Sequence, residues 1–144
     1  LILTAEDVNA ALDTLRTAFG GKTVLVLAPG ASLAEEAGRN AVTAAKADCI
    51  VSANFCPEFC QPDYAFFTNS KRFEKLDLAA LPCPVVLTSN LRPLPQGALA
   101  VNYDRLAAPD VQNASLGSNS VLMLLRLPLW LHRAAECIDK SHRL

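Results

Sequence analysis

The feature that most limits what this chain can fold into is a series of short apolar runs, each ending at a small polar residue. Thr23-Val24-Leu25-Val26-Leu27-Ala28 is apolar on both faces, as a strand must be when helical layers cover both sides of a parallel sheet, so it is expected to be a central strand. Cys49 to Ala53, Tyr64 to Thr68, Pro84 to Thr88 and Ala98 to Val101 repeat the pattern with β-branched and aromatic residues. Between the first two runs, Ser32 to Ala47 is Ala-rich and free of proline, which predicts a helix of about four turns. The later connections are the loop Phe55 to Pro62, the basic segment Ser70 to Leu81 and the Pro-rich loop Leu91 to Gly97. Strands alternating with such segments, joined by right-handed crossovers, predict a Rossmann-like three-layer α/β/α fold. Its sheet is mostly parallel, of about five strands, with helices on both faces.

The flanks are helical. Thr4 can cap a helix with Val8, Leu12, Leu15 and Phe19 on one stripe, ended by Gly20-Gly21. Asn119 to Leu131 carries Val121, Leu122, Leu125 and Leu129 on an apolar face, and Pro128 is expected to bend or break it. The reading is therefore a leading amphipathic helix (1–20), a Rossmann-like domain (21–127) and a helical tail (128–144). At 144 residues, 51% hydrophobic and 19% charged, the chain suits one domain that buries roughly two-thirds of its unfolded surface. A formal charge of -1 gives no field for nucleic acid or anionic membrane, and neither is expected as a partner. Val121 to Leu125, the longest apolar run, falls far short of the ~20 residues of a spanning helix. Leu1 is neither an initiator Met nor the start of a signal pattern, which points to a segment of a longer chain. Five cysteines cannot all pair, and a reducing cytoplasm is the expected setting. Cys56 and Cys60 have CxxxC spacing, but His132 and His142 lie far away, so they read as free loop thiols rather than zinc ligands.

In parallel sheets ligands bind outside the carboxyl ends of the strands, where the strand order reverses. The residues just past each run are Ala28-Pro29-Gly30-Ala31-Ser32, then Asn54, Thr68-Asn69, Ser89-Asn90 and Asn102. Gly30 suits a positive φ. Ser32, three residues before Glu35, forms a capping box whose helix mouth would favour a phosphate or carboxylate. Amide side chains at Asn54, Asn69 and Asn90 can read a sugar or base edge, or equally close turns. Lys71 is a candidate phosphate contact, and Asn119 and Ser120 cap the last helix beside the same edge. The candidate ligand site is thus Gly30, Ala31, Ser32, Asn54, Thr68, Asn69, Lys71, Asn90, Asn119 and Ser120. Asp63 and Asp104 are the carboxylates nearest the strand ends, neither with a visible partner, and no Ser/His/Asp arrangement exists. Neither a catalytic nor a metal residue is assigned.

Val24 to Leu33 with its Pro-Gly-Ala-Ser-Leu turn, Val51 to Phe55, Asp63 to Phe73, Val85 to Asn90 and Asn119 to Leu125 occur in that order over residues 22 to 127. Together they resemble the domain that follows the DRE-TIM, HMG-CoA-lyase-like barrel in bacterial proteins of the 4-hydroxy-2-oxovalerate aldolase type. That resemblance implies a non-catalytic accessory domain that binds a small anionic or nucleotide-like ligand or docks the barrel. The divalent metal and the lyase chemistry would belong to that upstream barrel, with no cofactor in this domain. More loosely, the turn and the Asn-ended second strand are similar to family-42 sialyltransferases and pterin-pyrophosphokinase-like domains. There the site would border a nucleotide and the activity would be a transfer. The third reading is a structural module that forms homo-oligomers through the helix from Val121 to Trp130. After Leu127 the family's next strand, with an acidic Gly-Phe-Asp-Gly motif, has no counterpart.

Overall fold

The computed structural model describes residues 5–92, 94, 95, 97–101, 120, 121 and 123–128. Helix α1 spans Ala5–Phe19, and Leu12, Leu15 and Phe19 form its buried stripe; Thr4 and the Val8 side chain lie outside the described residues. The helix stops as its glycines predict. The Gly20 N–H closes on the Arg16 carbonyl at 2.8 Å, and Gly21 takes the left-handed φ of 66° that turns the chain out of the helix.

Five strands follow: β1 (Val24–Leu27), β2 (Cys49–Ala53), β3 (Tyr64–Phe67), β4 (Val85–Thr88) and β5 (Leu99–Val101). Each lies within one residue of its apolar run. All four pairings are parallel, with Leu27 beside Ser52, Ala53 beside Phe66, Phe67 beside Leu87 and Thr88 beside Val101. Their order across the sheet is β1-β2-β3-β4-β5. This corrects two expectations. Among the described strands β1 is an edge strand, not a central one, and the strand order nowhere reverses. A strand apolar on both faces reports that both faces are covered; it does not report its rank in the sheet. Here Val24 and Val26 pack against the larger core and Leu27 is buried.

Sequential order has a geometric consequence. Right-handed crossovers that always step the same way all run over one face of the sheet. That face carries Ala65, Phe67, Leu87 and Ala100 from the strands. They pack with Phe73, Leu76 and Leu78 of the β3–β4 crossover and with Leu91 and Leu94 of the β4–β5 connection. The opposite face carries Val51, Ala53, Phe66, Val86 and Val101 and is covered by α1 and by the last described helix, α4 (residues 120, 121 and 123–128), through Met123, Leu124 and Leu127. The result is the expected three-layer, Rossmann-like α/β arrangement, with an apolar core on each side of the sheet. Phe66 and Phe67, neighbours on β3 with no exposed surface, point into the two cores in turn. Burying each stabilises the fold by roughly 1.5–3 kcal/mol.

The segment after β1 differs from its sequence reading. In place of one long helix, Ala31–Ala34 forms a 3-10 turn, Glu35 is extended, and α2 runs only from Glu36 to Ala44 with no buried residue. The cause is a backbone contact. The Glu35 N–H bonds the Ser32 carbonyl at 3.2 Å, and Gly38 presses on that same carbonyl so closely that a Cβ there would lie 1.9 Å from it. The 3-10 turn folds back on the first turn of α2, and a bare backbone at residue 38 permits the approach.

Candidate functional site

The parallel register brings the ends of β2, β3 and β4 side by side. Asn54, just past β2, adopts φ 61°, and no other described non-glycine residue has a positive φ. Its backbone N–H bonds the Phe66 carbonyl at 2.7 Å, and its Oδ1 accepts the Thr68 N–H at 3.2 Å. Asn90 reaches the same residue from β4: its Nδ2 donates to the Thr68 carbonyl at 3.3 Å, and its Oδ1 accepts the Thr88 hydroxyl. The Thr68 hydroxyl points the other way, to the Met123 sulfur of α4 at 3.7 Å. Ser120 is one helical turn before Met123. The carboxyl edge is therefore a continuous neutral network of amides and hydroxyls, in which the Asn54 Nδ2 group has no partner among the described residues. Below it, Ser52 is fully buried, and its hydroxyl has no hydrogen-bond partner among the described residues. Such an orphan costs about 1–3 kcal/mol unless something else supplies a partner.

Other expected members of the site take different parts. Gly30 is extended, φ -155° and ψ 153°, so the turn needs no left-handed residue there. Ala31 and Ser32 lie inside the four-residue 3-10 turn, and the capping box does not form, because Glu35, without a side-chain cap, precedes α2. With Glu35 before it and Glu36 in its first turn, the positive end of α2 already faces carboxylates, which disfavours a further anion. Asn69 caps α3 (Ser70–Phe73), its Oδ1 accepting the Arg72 N–H at 3.2 Å. Lys71 is exposed on that short helix. Asn119, Asn102 and Asp104 lie outside the described residues, as do the tail 129–144 and its histidines. A cation missed in the sequence stands closer to the network: Arg92 Nη1 donates to the carbonyls of Ser89 and Leu91, both at 2.7 Å, which anchors an exposed guanidinium at the rim. Its position two residues after Asn90 was the available signal.

At the opposite end of the sheet Asp63 finds its partner. It precedes β3 rather than following it, and its Oδ2 accepts the Ile50 N–H at 2.7 Å. Asp48 does the same one strand earlier, accepting the Thr23 N–H at 2.8 Å. Each aspartate ties the start of its own strand to its neighbour's backbone. A hollow of about 560 Å³ opens beside them, lined by Thr14, Thr17, Lys22, Asp48, Cys49 and Tyr64 among others. Burial first, and then the Asp63 charge, push the Cys49 thiol above its ordinary value, so it is no nucleophile at neutral pH.

Among the described residues no group of three or more His, Cys, Asp or Glu is arranged to hold a metal ion. No described helix is long and apolar enough to cross a membrane. Leu125 of α4 is the one large hydrophobic residue that is exposed among them, and a single leucine does not make an interaction patch. Compared with known proteins, the chain matches no family model, no curated protein and no solved structure.

Proposed function

We propose that this domain is a non-catalytic binding module that holds a nucleotide-like ligand against the carboxyl edge of β2, β3 and β4. The observation that carries the reading is Asn54. Asn54 sits at φ 61°, a left-handed conformation that Asn adopts more readily than any other residue but glycine, and there it holds a carboxamide whose Nδ2 group has no partner among the described residues. Asn90, locked by Thr68 and Thr88, supplies a second rigid amide. Two fixed, uncharged donor–acceptor groups suit the edge of a base or the hydroxyls of a sugar. The anionic part of such a ligand belongs at Arg92 on the rim, since the start of α2 is acidic. The resemblance to the domain that follows aldolase-type barrels supports an accessory rather than catalytic role, in which ligand occupancy or barrel docking is the output.

The test is thermal shift of the protein with the four common nucleosides, their monophosphates and inorganic phosphate. At least one nucleoside should raise Tm, its monophosphate should raise it further, and phosphate alone should not. Saturation a hundredfold above Kd corresponds to about 2.7 kcal/mol. Asn54→Gly, which keeps the backbone conformation and removes the amide, should abolish the nucleoside response. Stabilisation that survives in this variant, or a response to phosphate alone, overturns the reading.

A further inference from the structure

Two hydrogen bonds fix which way both carboxamides of the carboxyl edge lie, because their backbone partners act in one sense only. A backbone N–H can only donate, so the atom of Asn54 that meets the Thr68 N–H at 3.2 Å is its Oδ1. A backbone carbonyl can only accept, so the atom of Asn90 that meets the Thr68 carbonyl at 3.3 Å is its Nδ2. The Asn90 Oδ1 then takes the hydroxyl of buried Thr88. With these bonds made, both Nδ2 hydrogens of Asn54 and one of Asn90 have no partner among the described residues. The nearby carbonyls are already engaged, that of Thr68 by Asn90 and those of Ser89 and Leu91 by Arg92, which itself only donates. What this edge has left to give is donors. The two amides meet at the single residue Thr68, from the strands on either side of β3. Asn54 is half-buried and Asn90 exposed, so both are accessible.

We infer that this edge selects a 6-oxopurine, guanine or hypoxanthine, read through its N7 and O6 acceptors by the Nδ2 groups of Asn54 and Asn90. The inference rests on the nucleotide-binding reading above and narrows it to one class of base. Sugar hydroxyls both donate and accept, so they do not discriminate; base edges do. The N7 and O6 of guanine are two adjacent acceptors with no donor between them. Adenine sets a donating amino group beside N7, cytosine presents an amino donor, and a uracil-type edge offers O4 alone. Against two amide donors, an oxygen at C6 completes a hydrogen bond, whereas an amino group sets hydrogen against hydrogen and leaves the protein donors unpaired. Asn54, with both of its hydrogens uncommitted, is the specificity-determining residue, and Asn90 supplies the second donor. Arg92 takes the phosphate whatever the base, so it adds affinity without choosing among bases. Neither N1–H nor the 2-amino group of guanine enters this scheme, so hypoxanthine suits it equally.

Calorimetric titration of the full chain with guanosine, inosine, 7-deazaguanosine and adenosine tests this. Guanosine and inosine should bind with similar Kd, and adenosine ~10–100-fold more weakly, the discrimination of one bidentate base contact. The 7-deaza compound, which keeps O6 and lacks the N7 acceptor, should fall between them. Asn54→Asp keeps an acceptor for the Thr68 N–H and a residue type that tolerates the left-handed backbone, but exchanges the free donor for an acceptor. It should weaken guanosine by about tenfold or more and remove the preference over adenosine. Adenosine binding as tightly as guanosine to the parent protein, or an unchanged preference in Asn54→Asp, overturns this inference and leaves the nucleotide reading standing. Absence of any response to all four nucleosides overturns both.

Discussion

The two ends of the sheet solve the same problem, adjacent strands terminating side by side, with opposite chemistry. At the amino end carboxylates do it: Asp48 and Asp63 each take a backbone N–H from the preceding strand. At the carboxyl end it falls to Asn54, Asn90 and Thr68, all neutral. A carboxylate accepts only, so the amino end is sealed once its amides are bound. An amide both accepts and donates, so after Asn54 has accepted from Thr68 its Nδ2 group still lacks a partner among the described residues. On the proposed function, the difference separates a structural end from a recognising one, although a hollow of about 560 Å³ lies at the sealed end.

Substitutions at four positions and one titration can break or sharpen this contrast, and stability is read by denaturant unfolding unless stated. The largest effect is expected at Gly38→Ala, where a methyl would meet the Ser32 carbonyl at 1.9 Å; forcing the 3-10 turn off α2 should cost about 3 kcal/mol. Next, Asn54→Ala loses a hydrogen bond and leaves an unfavourable φ, about 2 kcal/mol together, while Asn54→Gly loses only the bond, about 1 kcal/mol. Equal losses would mean that the left-handed backbone carries no strain. Asp63→Ala should cost about 1 kcal/mol and leave nucleoside binding unchanged; altered binding would erase the distinction between the ends. The titration follows. The folded-state pKa of Cys49 is raised above its ordinary 9.0, so its contribution to stability is complete below pH 9.0 and is lost as pH rises beyond it, because the unfolded chain releases that proton first. Asp63→Asn should reduce this loss, measured between pH 8 and pH 10.5. Smallest of all, Ser52→Ala removes an unpartnered buried hydroxyl and should be neutral or stabilising by up to about 1 kcal/mol. A clear loss of stability would mean that the hydroxyl has a partner.

The strands were legible because two-sided apolarity and β-branching report local burial, and Cys49 to Ala53 was placed to the residue. Helix α1 was legible for a similar reason, its stripe and its glycine stop both being local. The break at Glu35 was not, because it arises from a contact between Ser32 and Gly38 that competes with a reasonable helical pattern. Strand order was invisible too, since Val24 to Leu27 has the composition of a central strand whichever neighbour it lacks. At the site, the sequence marked Asn54, Thr68 and Asn90 as a group but could not say which atoms face one another. It misassigned Ser32 to a cap and Asp63 to the wrong end of a strand.

The sequential strand order also bears on how the chain reaches this structure. Each strand pairs with the one made just before it, so the sheet can anneal stepwise through short loop closures, which favours rapid folding. Helix α1 is the exception: it begins the described chain yet packs against β5. Its docking has to await the final strand, which makes the first helix the latch that closes last.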